Sequence, residues 1–564
     1  MTTLSDLTVL VLDAQATAAH ASRGALVEIG WAPWSARERG ALPAGRVTAV
    51  VVAPLVDVEL PRAVRRLTGL DAAAWRRGVS PAVAWDGLRQ AVEAVAPLDT
   101  PAPAVVHFAR FEEPYLRALH ERHGTGPFPF QLVCTHAVSR RLLPELPRRT
   151  LRALAGYFGA AVAPLRRSAE HVIATAFVWQ HLVALLEVLE GVTTLDALGD
   201  WLTRPARRAA RRFPLARERR LELPEGPGVY RLLRAGGAVL YVGKATSLRQ
   251  RVSGHFHARS GERALEMLTQ VREVSVDETA TALEAAVLEA DDIKRLAPPY
   301  NVALATAGRA VWFATADLDD LRERPDPEHP LGPLGSPAPF EALSALRASL
   351  GATRPAPLAM RARAVGVERA GSPGPECFAE GLARFAQELS TRTEAVDVLR
   401  RGARLWARRR VANVRPEDPV SGGPERESRR RPAWDAERVT LALEETVLRA
   451  AHAVRRARWL VRLSESALAW TEPGRDARRL LVIERGVVTA RADVQPGAPV
   501  PVPPGSARSA AERRLSFDVA AFDRLRVLTT ELRSLADAAG DVEVRLGPFS
   551  RLSRERLQAV LRWL

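Results

Sequence analysis

Residues Glu222 to Phe256 read ELPEGPGVYRLLRAGGAVLYVGKATSLRQRVSGHF, and the spacing of their apolar and glycine residues sets the fold of this part of the chain. Two apolar runs, Gly228-Val229-Tyr230 onward and Val239 to Gly243, flank Ala235-Gly236-Gly237. A glycine-bearing turn between such runs predicts a β-hairpin. Side chains alternate along a strand, so Tyr230 and Tyr241 can share one face. Thr246 or Ser247 can cap a following helix, on which Arg251 and His255 lie four residues apart and face the same way.

Glu278 to Leu304 reads ETATALEAAVLEADDIKRLAPPYNVAL. Leu283, Ala286, Val287, Ala290 and Ile293 recur at helical spacing and predict a buried stripe. Glu289 sits at its flank, where a partly shielded carboxylate could serve as a hard oxygen ligand for a divalent cation. Taken alone, such a residue is more simply a solvated helix glutamate. Asn301 follows Pro298-Pro299-Tyr300 in the segment leaving this helix.

Of the 81 Lys and Arg residues only Lys244 and Lys294 are lysine, so arginine has displaced lysine almost everywhere else. Both lysines fall in this window, with three of the five tyrosines, Tyr230, Tyr241 and Tyr300. A compact ammonium does what a planar guanidinium cannot, so lysines kept here suggest a site that needs them.

The ordered set resembles the GIY-YIG nuclease family, in particular the N-terminal incision domain of the UvrC excision endonuclease and its shorter relative Cho. Gly228-Val229-Tyr230 stands at the family's first triplet and Tyr241-Val242-Gly243 at its second. Lys244 follows directly, and Arg251, Glu289 and Asn301 fall where the family has its helix arginine, metal glutamate and asparagine. His255 departs from the pattern, since UvrC proteins usually carry tyrosine there. The resemblance implies an endonuclease with one Mg²⁺ or Mn²⁺ ion held by Glu289, and a catalytic set of Tyr230, Tyr241, Lys244, Arg251, His255 and Asn301 around the structural glycines Gly228 and Gly243. Tyr241 is then the general base for water, Arg251 stabilises developing charge, and Tyr230 and His255 orient water or phosphate. A tyrosine's ordinary pKa of about 10 makes it a poor base at neutral pH, so Lys244 and the cation would have to favour the phenolate.

Residues 1–199 alternate strands and helices, with apolar runs at Thr8 to Leu12 and Val47 to Val52. They resemble the DnaQ-like proofreading exonucleases: Val11-Leu12-Asp13-Ala14-Gln15 and Leu26 to Gly30 match the opening motif, and Val106 to Glu112 the second. Arg166 to Ala176 matches the third. That family holds two metals with four carboxylates, and here only Asp13 stands unchanged. Gln15 replaces a glutamate and Glu112 is a longer stand-in for an aspartate. In one register Arg166 replaces the base histidine and His171 the last aspartate; in a shifted register His171 is the base and Ala176 the missing aspartate. Losing two charges should abolish tight two-metal binding, so this domain is expected to be inactive. A one-metal site rebuilt from Asp13, Glu112 and His171, with residual 3′ to 5′ exonuclease activity, is the alternative.

The expected class is an α/β multidomain protein: a ribonuclease-H-like exonuclease fold (1–199), a basic linker (200–222), a small α/β GIY-YIG domain with a short antiparallel sheet (223–305), a loop-rich then helical region (306–414), a flexible linker (415–433) and a mainly helical α+β C-terminal domain of unread role (434–564). In that last region a long helix runs through Leu460, strands lie near Leu480 to Glu484 and Val487 to Ala490, and a helix spans Phe522 to Ala536. A net charge of +16 favours a polyanionic partner, although arginine-rich coding bias gives a similar balance. Two cysteines, Cys134 and Cys377, supply neither a disulfide framework nor a four-cysteine zinc site. No apolar run reads as long enough to cross a bilayer, and Met1 to Asp13 lacks a secretory signal, so no membrane partner and a cytoplasmic, nucleoid-associated location are expected. The function implied is single-strand incision of damaged or distorted duplex DNA in excision repair, with loading proteins as further partners. The alternatives are a non-catalytic DNA-binding repair adaptor and a mobile-element nuclease.

Overall fold

The run TVLVLDAQA forms strand β1 (Thr8–Ala16), whose middle residues are all buried because both faces of the sheet are covered. The computed structural model describes residues 2–564 apart from 39, 56–58, 98–99, 161–164, 207–208, 258–260, 303, 305–308, 318–319, 353, 355, 368–371, 390–433, 472–475, 539–540 and 563. The expected flexible linker at 415–433 therefore lies outside the described residues. The chain divides into two units, one of residues 1–282 with 298–302 and the other of 283–297 with 303–564.

In the first unit β1 pairs antiparallel with β2 (Leu26–Ser35), which pairs antiparallel with β3 (Thr48–Val51). On its other side β1 runs parallel to β4 (Ala102–Val106), and β4 to β5 (Phe130–Cys134). The order β3-β2-β1-β4-β5 is the mixed sheet expected of a ribonuclease-H-like exonuclease fold. Helix α1 (Ala109–His123) follows β4, and α2 (Leu151–Tyr157) and α3 (Ser168–Leu185) pack near the sheet.

One expectation is corrected. Ser168 to Glu190 is by length and composition long and apolar enough to cross a membrane. Its apolar character follows from packing on more than one side, since the buried residues Val172, Ala174, Ala176, Val178 and Leu182 together span more than half of its circumference in the first domain's core.

The same unit holds the hairpin of β6 (Gly228–Leu233) and β7 (Val239–Ala245), with β8 (Glu273–Glu278) antiparallel on the far side of β6. The β8 strand, EVSVDE, was not anticipated, because only Val274 and Val276 supply its apolar alternation. Ser247, rather than Thr246, caps α4 (Leu248–His255) by accepting from the Gln250 amide. Helix α5 (Glu262–Gln270) adds Leu265, Met267 and Leu268 to the core. Leu215 and Phe213 of the arginine-rich connector pack into this core as well.

The second unit contains α6 (Ala282–Leu296) from Leu283 onward, the three-stranded sheet of β9 (Trp312–Ala314), β10 (Leu321–Arg322) and β11 (Leu331–Leu334), and the long helix α7 (Ala436–Leu463). A five-stranded antiparallel sheet follows, ordered β14 (Val487–Val494), β13 (Arg478–Glu484), β12 (Ser466–Trp470), β15 (Val542–Arg545), β16 (Arg551–Leu552). Helix α8 (Val519–Ala538) lies between β14 and β15 in the chain. Leu283 and Val287 of α6 share one core with Trp459, Trp470, Ile483, Phe522 and Leu525, so α6 is built into this unit by burial of its apolar stripe.

Candidate active site

The β6–β7 register sets Tyr230 opposite Gly243 and Leu232 opposite Tyr241, so the two tyrosines are diagonal neighbours on one face. Their rings lie 6.1 Å apart, and the His255 ring sits 5.6 Å from each. The Tyr230 hydroxyl and His255 Nε2 share a 2.6 Å hydrogen bond. Gly243 makes this possible, since a Cβ there would lie 2.4 Å from the Tyr230 hydroxyl and 2.9 Å from Tyr241 Cε1. Gly228 is held to hydrogen by a carbonyl, with Asp277 O 2.4 Å from where its Cβ would be.

Tyr230 is completely buried, whereas Tyr241 and His255 are half-buried. The buried Tyr230 hydroxyl thus lies against the imidazole of His255. Burial, followed by repulsion from Arg251, pushes His255 down to about 4, so the ring is neutral at physiological pH. Arg251, one turn before His255 on α4, is exposed, and Lys244 is half-buried on β7 opposite Val229.

Asn301 accepts from the Val242 amide and donates to the Val242 carbonyl, both at 2.9 Å. It thus reproduces a strand's pairing at the second triplet, and Val242 precedes Gly243 and follows Tyr241. Its neighbour Tyr300 is buried, donates to Glu266 at 2.9 Å and accepts from Gln270 at 2.6 Å. Burial, then the Glu266 charge, pushes the Tyr300 phenol up. Glu266 also takes the Thr150 hydroxyl at 2.9 Å and Arg152 at 3.3 Å, and Arg152 lies 4.5 Å over the Tyr300 ring. The exonuclease-like domain thereby braces the segment that carries Asn301. Gly156 fits this seat for lack of a side chain, since a Cβ there would overlap Gln270. No local pattern points to Arg152, Glu266 or Gln270, whose partners lie far off in sequence.

Glu289 is half-buried on α6 in the second unit. Around it on the same helix Glu284, Asp291 and Asp292 are matched by Arg479, Arg524 and Arg295. A half-buried helix carboxylate of this kind suits a divalent cation such as Mg²⁺, which keeps several waters and takes one or two carboxylates.

In the first domain Asp13 is buried and its Oδ1 lies 3.0 Å from His171 Nδ1. Burial alone would lower His171, but the charge and hydrogen bond of Asp13 outweigh it and raise the imidazole's pKa. Burial, then repulsion from Asp13, holds Glu112 well above the usual carboxylate range. Gln15 donates to the Arg166 carbonyl at 3.0 Å, and the Arg166 side chain is exposed. Glu28, which the motif reading left without a role, accepts from Arg167 and from the Ser168 amide at 2.9 Å. The site thus contains a histidine on its one unchanged carboxylate and a second carboxyl that favours its proton.

Residues 226–302 match the family described as the UvrC-like GIY-YIG domain. This segment is a UvrC-like GIY-YIG module. A putative bifunctional exonuclease/endonuclease protein of Mycobacterium tuberculosis is 36% identical over 219 residues, 38% of this chain and 33% of that protein. The UvrABC system protein C of Sphingopyxis alaskensis is 50% identical over 84 residues, 15% of this chain and 13% of that protein. The chain thus spans a third or less of the length of these relatives. Among solved structures, the magnesium-bound GIY-YIG N-terminal endonuclease domain of UvrC from Thermotoga maritima is 32% identical, with a TM-score of 0.15, over 15% of this chain and 94% of that one. Exonuclease X in complex with 5′ overhanging duplex DNA is 16% identical, with a TM-score of 0.22, over 34% of this chain and 99% of that one. A UvrC-like module is thus fused to an exonuclease-like domain.

Proposed function

We propose that this protein is a DNA repair endonuclease that makes one single-strand incision in a damaged or distorted duplex at its GIY-YIG module. The observation that carries the reading is the cluster of Tyr230, Tyr241 and neutral His255, seated by Gly243 beside the Asn301 clamp on Val242. Phosphodiester hydrolysis needs an activated water and stabilisation of charge on the phosphoryl and leaving oxygens. Mg²⁺ or Mn²⁺ held by Glu289 would supply Lewis-acid stabilisation of that charge. Tyr241 takes the proton of the attacking water, with Lys244 favouring its phenolate. Arg251 faces the phosphate, and His255, fixed by Tyr230, orients the water. Asn301 holds β7 so that Tyr241 keeps its direction.

The exonuclease-like domain does not cut in this reading. It braces the module, and the net charge of +16 draws both to DNA. The protein works at the nucleoid in the cytoplasm, with excision-repair loading proteins as candidate partners. The test is nicking of supercoiled damaged plasmid in Mg²⁺ or Mn²⁺. Glu289→Ala should lose cutting while keeping its DNA affinity. Full nicking by that variant sinks the assignment of Glu289, and no nicking by the parent under any divalent cation leaves the non-catalytic adaptor instead.

A further inference from the structure

Helix α6 is tied to the C-terminal domain by three ion pairs and an apolar seam. Glu284, almost wholly buried, accepts from Arg479 Nε at 2.6 Å and Nη2 at 3.1 Å. Asp291 accepts from Arg524 at 2.6 Å. Lys294 stands 2.6 Å from the buried Asp523, whose carboxylate Arg309 also grips at 2.6 and 2.7 Å. Alongside these anchors Leu283 and Val287 enter the core of Trp459, Trp470 and Phe522.

The anchors form one stripe. At about 100° per residue, positions 283, 284, 287, 291 and 294 fall within a sector of about 100°, while 289 lies roughly opposite its centre. These anchors to the C-terminal domain therefore lie on one side of α6, and Glu289 projects from roughly the opposite side. Two charged anchors separated by seven residues of rigid helix fix both the axial position and the rotation of whatever the far side carries. With a helix radius of about 5–6 Å, a rotation of about 10° moves a carboxylate by about 1 Å, the scale on which a binding site loosens.

We propose that the C-terminal domain is a positioning device for the cation-binding carboxylate: Arg479, Arg524 and Asp523 clamp α6 so that Glu289 is held in the orientation the metal needs. This rests on the reading of Glu289 given above. It assigns a role to residues 434–564 that their sequence does not disclose, and it makes those arginines positioning residues rather than catalytic ones. Mg²⁺ demands near-ideal octahedral geometry, so a loosened ligand is felt directly in affinity.

The experiment uses the full chain and measures Mn²⁺ binding to metal-free protein by the electron paramagnetic resonance of free Mn²⁺. Both partners of two pairs are neutralised together, Glu284→Gln with Arg479→Gln and Asp291→Asn with Arg524→Gln, so that no carboxylate is freed to bind metal itself. The expected result is Mn²⁺ affinity weaker by about tenfold, the scale for groups that orient a metal ligand, with an equal rise in the Mn²⁺ concentration for half-maximal nicking and unchanged DNA affinity. The swapped pair Glu284→Arg with Arg479→Glu should bring binding back toward that of the parent. If the fourfold variant does not fold, Asp291→Asn with Arg524→Gln alone gives the same readout with a smaller expected shift. A folded variant that binds Mn²⁺ as tightly as the parent overturns the proposal. Glu289→Gln is the separate control: if it too binds as tightly as the parent, the assignment of Glu289 fails, and the positioning role fails with it.

Discussion

Lys294 places its ammonium 2.6 Å from Asp523, a carboxylate with no exposed surface that Arg309 already holds through both guanidinium nitrogens. One of the two rare lysines thus serves packing in the second unit, not chemistry at the tyrosines. The reason for lysine is steric and electrostatic: one guanidinium fork occupies the carboxylate, and a compact ammonium fits beside it. Lys294→Arg should overpack this cluster and cost about 1–3 kcal/mol. Asp523→Ala should cost about 3–5 kcal/mol, because it leaves two cations without their acceptor. The midpoint of denaturant unfolding of the second unit measures both, and an unchanged midpoint in Asp523→Ala contradicts the account.

Gly243→Ala should disable the module without unfolding it. The new Cβ would meet the Tyr230 hydroxyl and the Tyr241 ring, so the tyrosines must move and the Tyr230–His255 bond must break. A displacement of about 1 Å at reacting groups can cost about 100-fold in rate. Nicking rates at saturating DNA, beside an unchanged circular dichroism spectrum, check this. Near-parent turnover would mean that the tyrosine geometry is not what the rate depends on.

His255 gives the module a pH dependence with a definite sign. Its folded pKa is depressed to about 4, against about 6.5 for an unfolded histidine. As pH falls below about 6.5 the unfolded chain takes up a proton that the folded chain refuses, so stability is lost progressively down to about pH 4. His255→Tyr removes that proton uptake and should gain stability relative to the parent over this range. Unfolding midpoints of the two proteins that run parallel between pH 6.5 and 4 would count against a buried neutral His255.

The exonuclease-like domain should leave 3′ ends intact. His171 lies against Asp13 and Gln15 carries no charge, so fewer negative ligands face this site than two adjacent cations require. Glu289→Ala, which removes incision, exposes any residual activity on 3′-labelled single-stranded DNA in Mg²⁺ or Mn²⁺. Trimming from the 3′ end by that variant would restore the rebuilt one-metal site as the better reading.

Much of the candidate site was legible because it is written in local periods. The hairpin follows from two apolar runs around Gly236-Gly237, the shared face of Tyr230 and Tyr241 from strand alternation, and the stripe of Leu283, Val287 and Ile293 from helical spacing. The C-terminal elements at Leu480, Val487 and Phe522 were legible for the same reason. Strand β8 was not, because its outward residues are polar and its apolar face is two valines long.

What the sequence determined alone was therefore which residues could meet across one turn of helix or one pleat of strand, and, through the ordered motif, which family of module they build. Tertiary structure decided the rest: that Tyr230 is sealed behind His255, that Asn301 pairs with the backbone of Val242, that Tyr300 is braced from the exonuclease-like domain, and that α6 belongs with residues 303–564. Those contacts join groups 25 to 233 residues apart. Such pairings are chosen by which buried surfaces and charges complete one another once the elements are packed, and no local period encodes that choice.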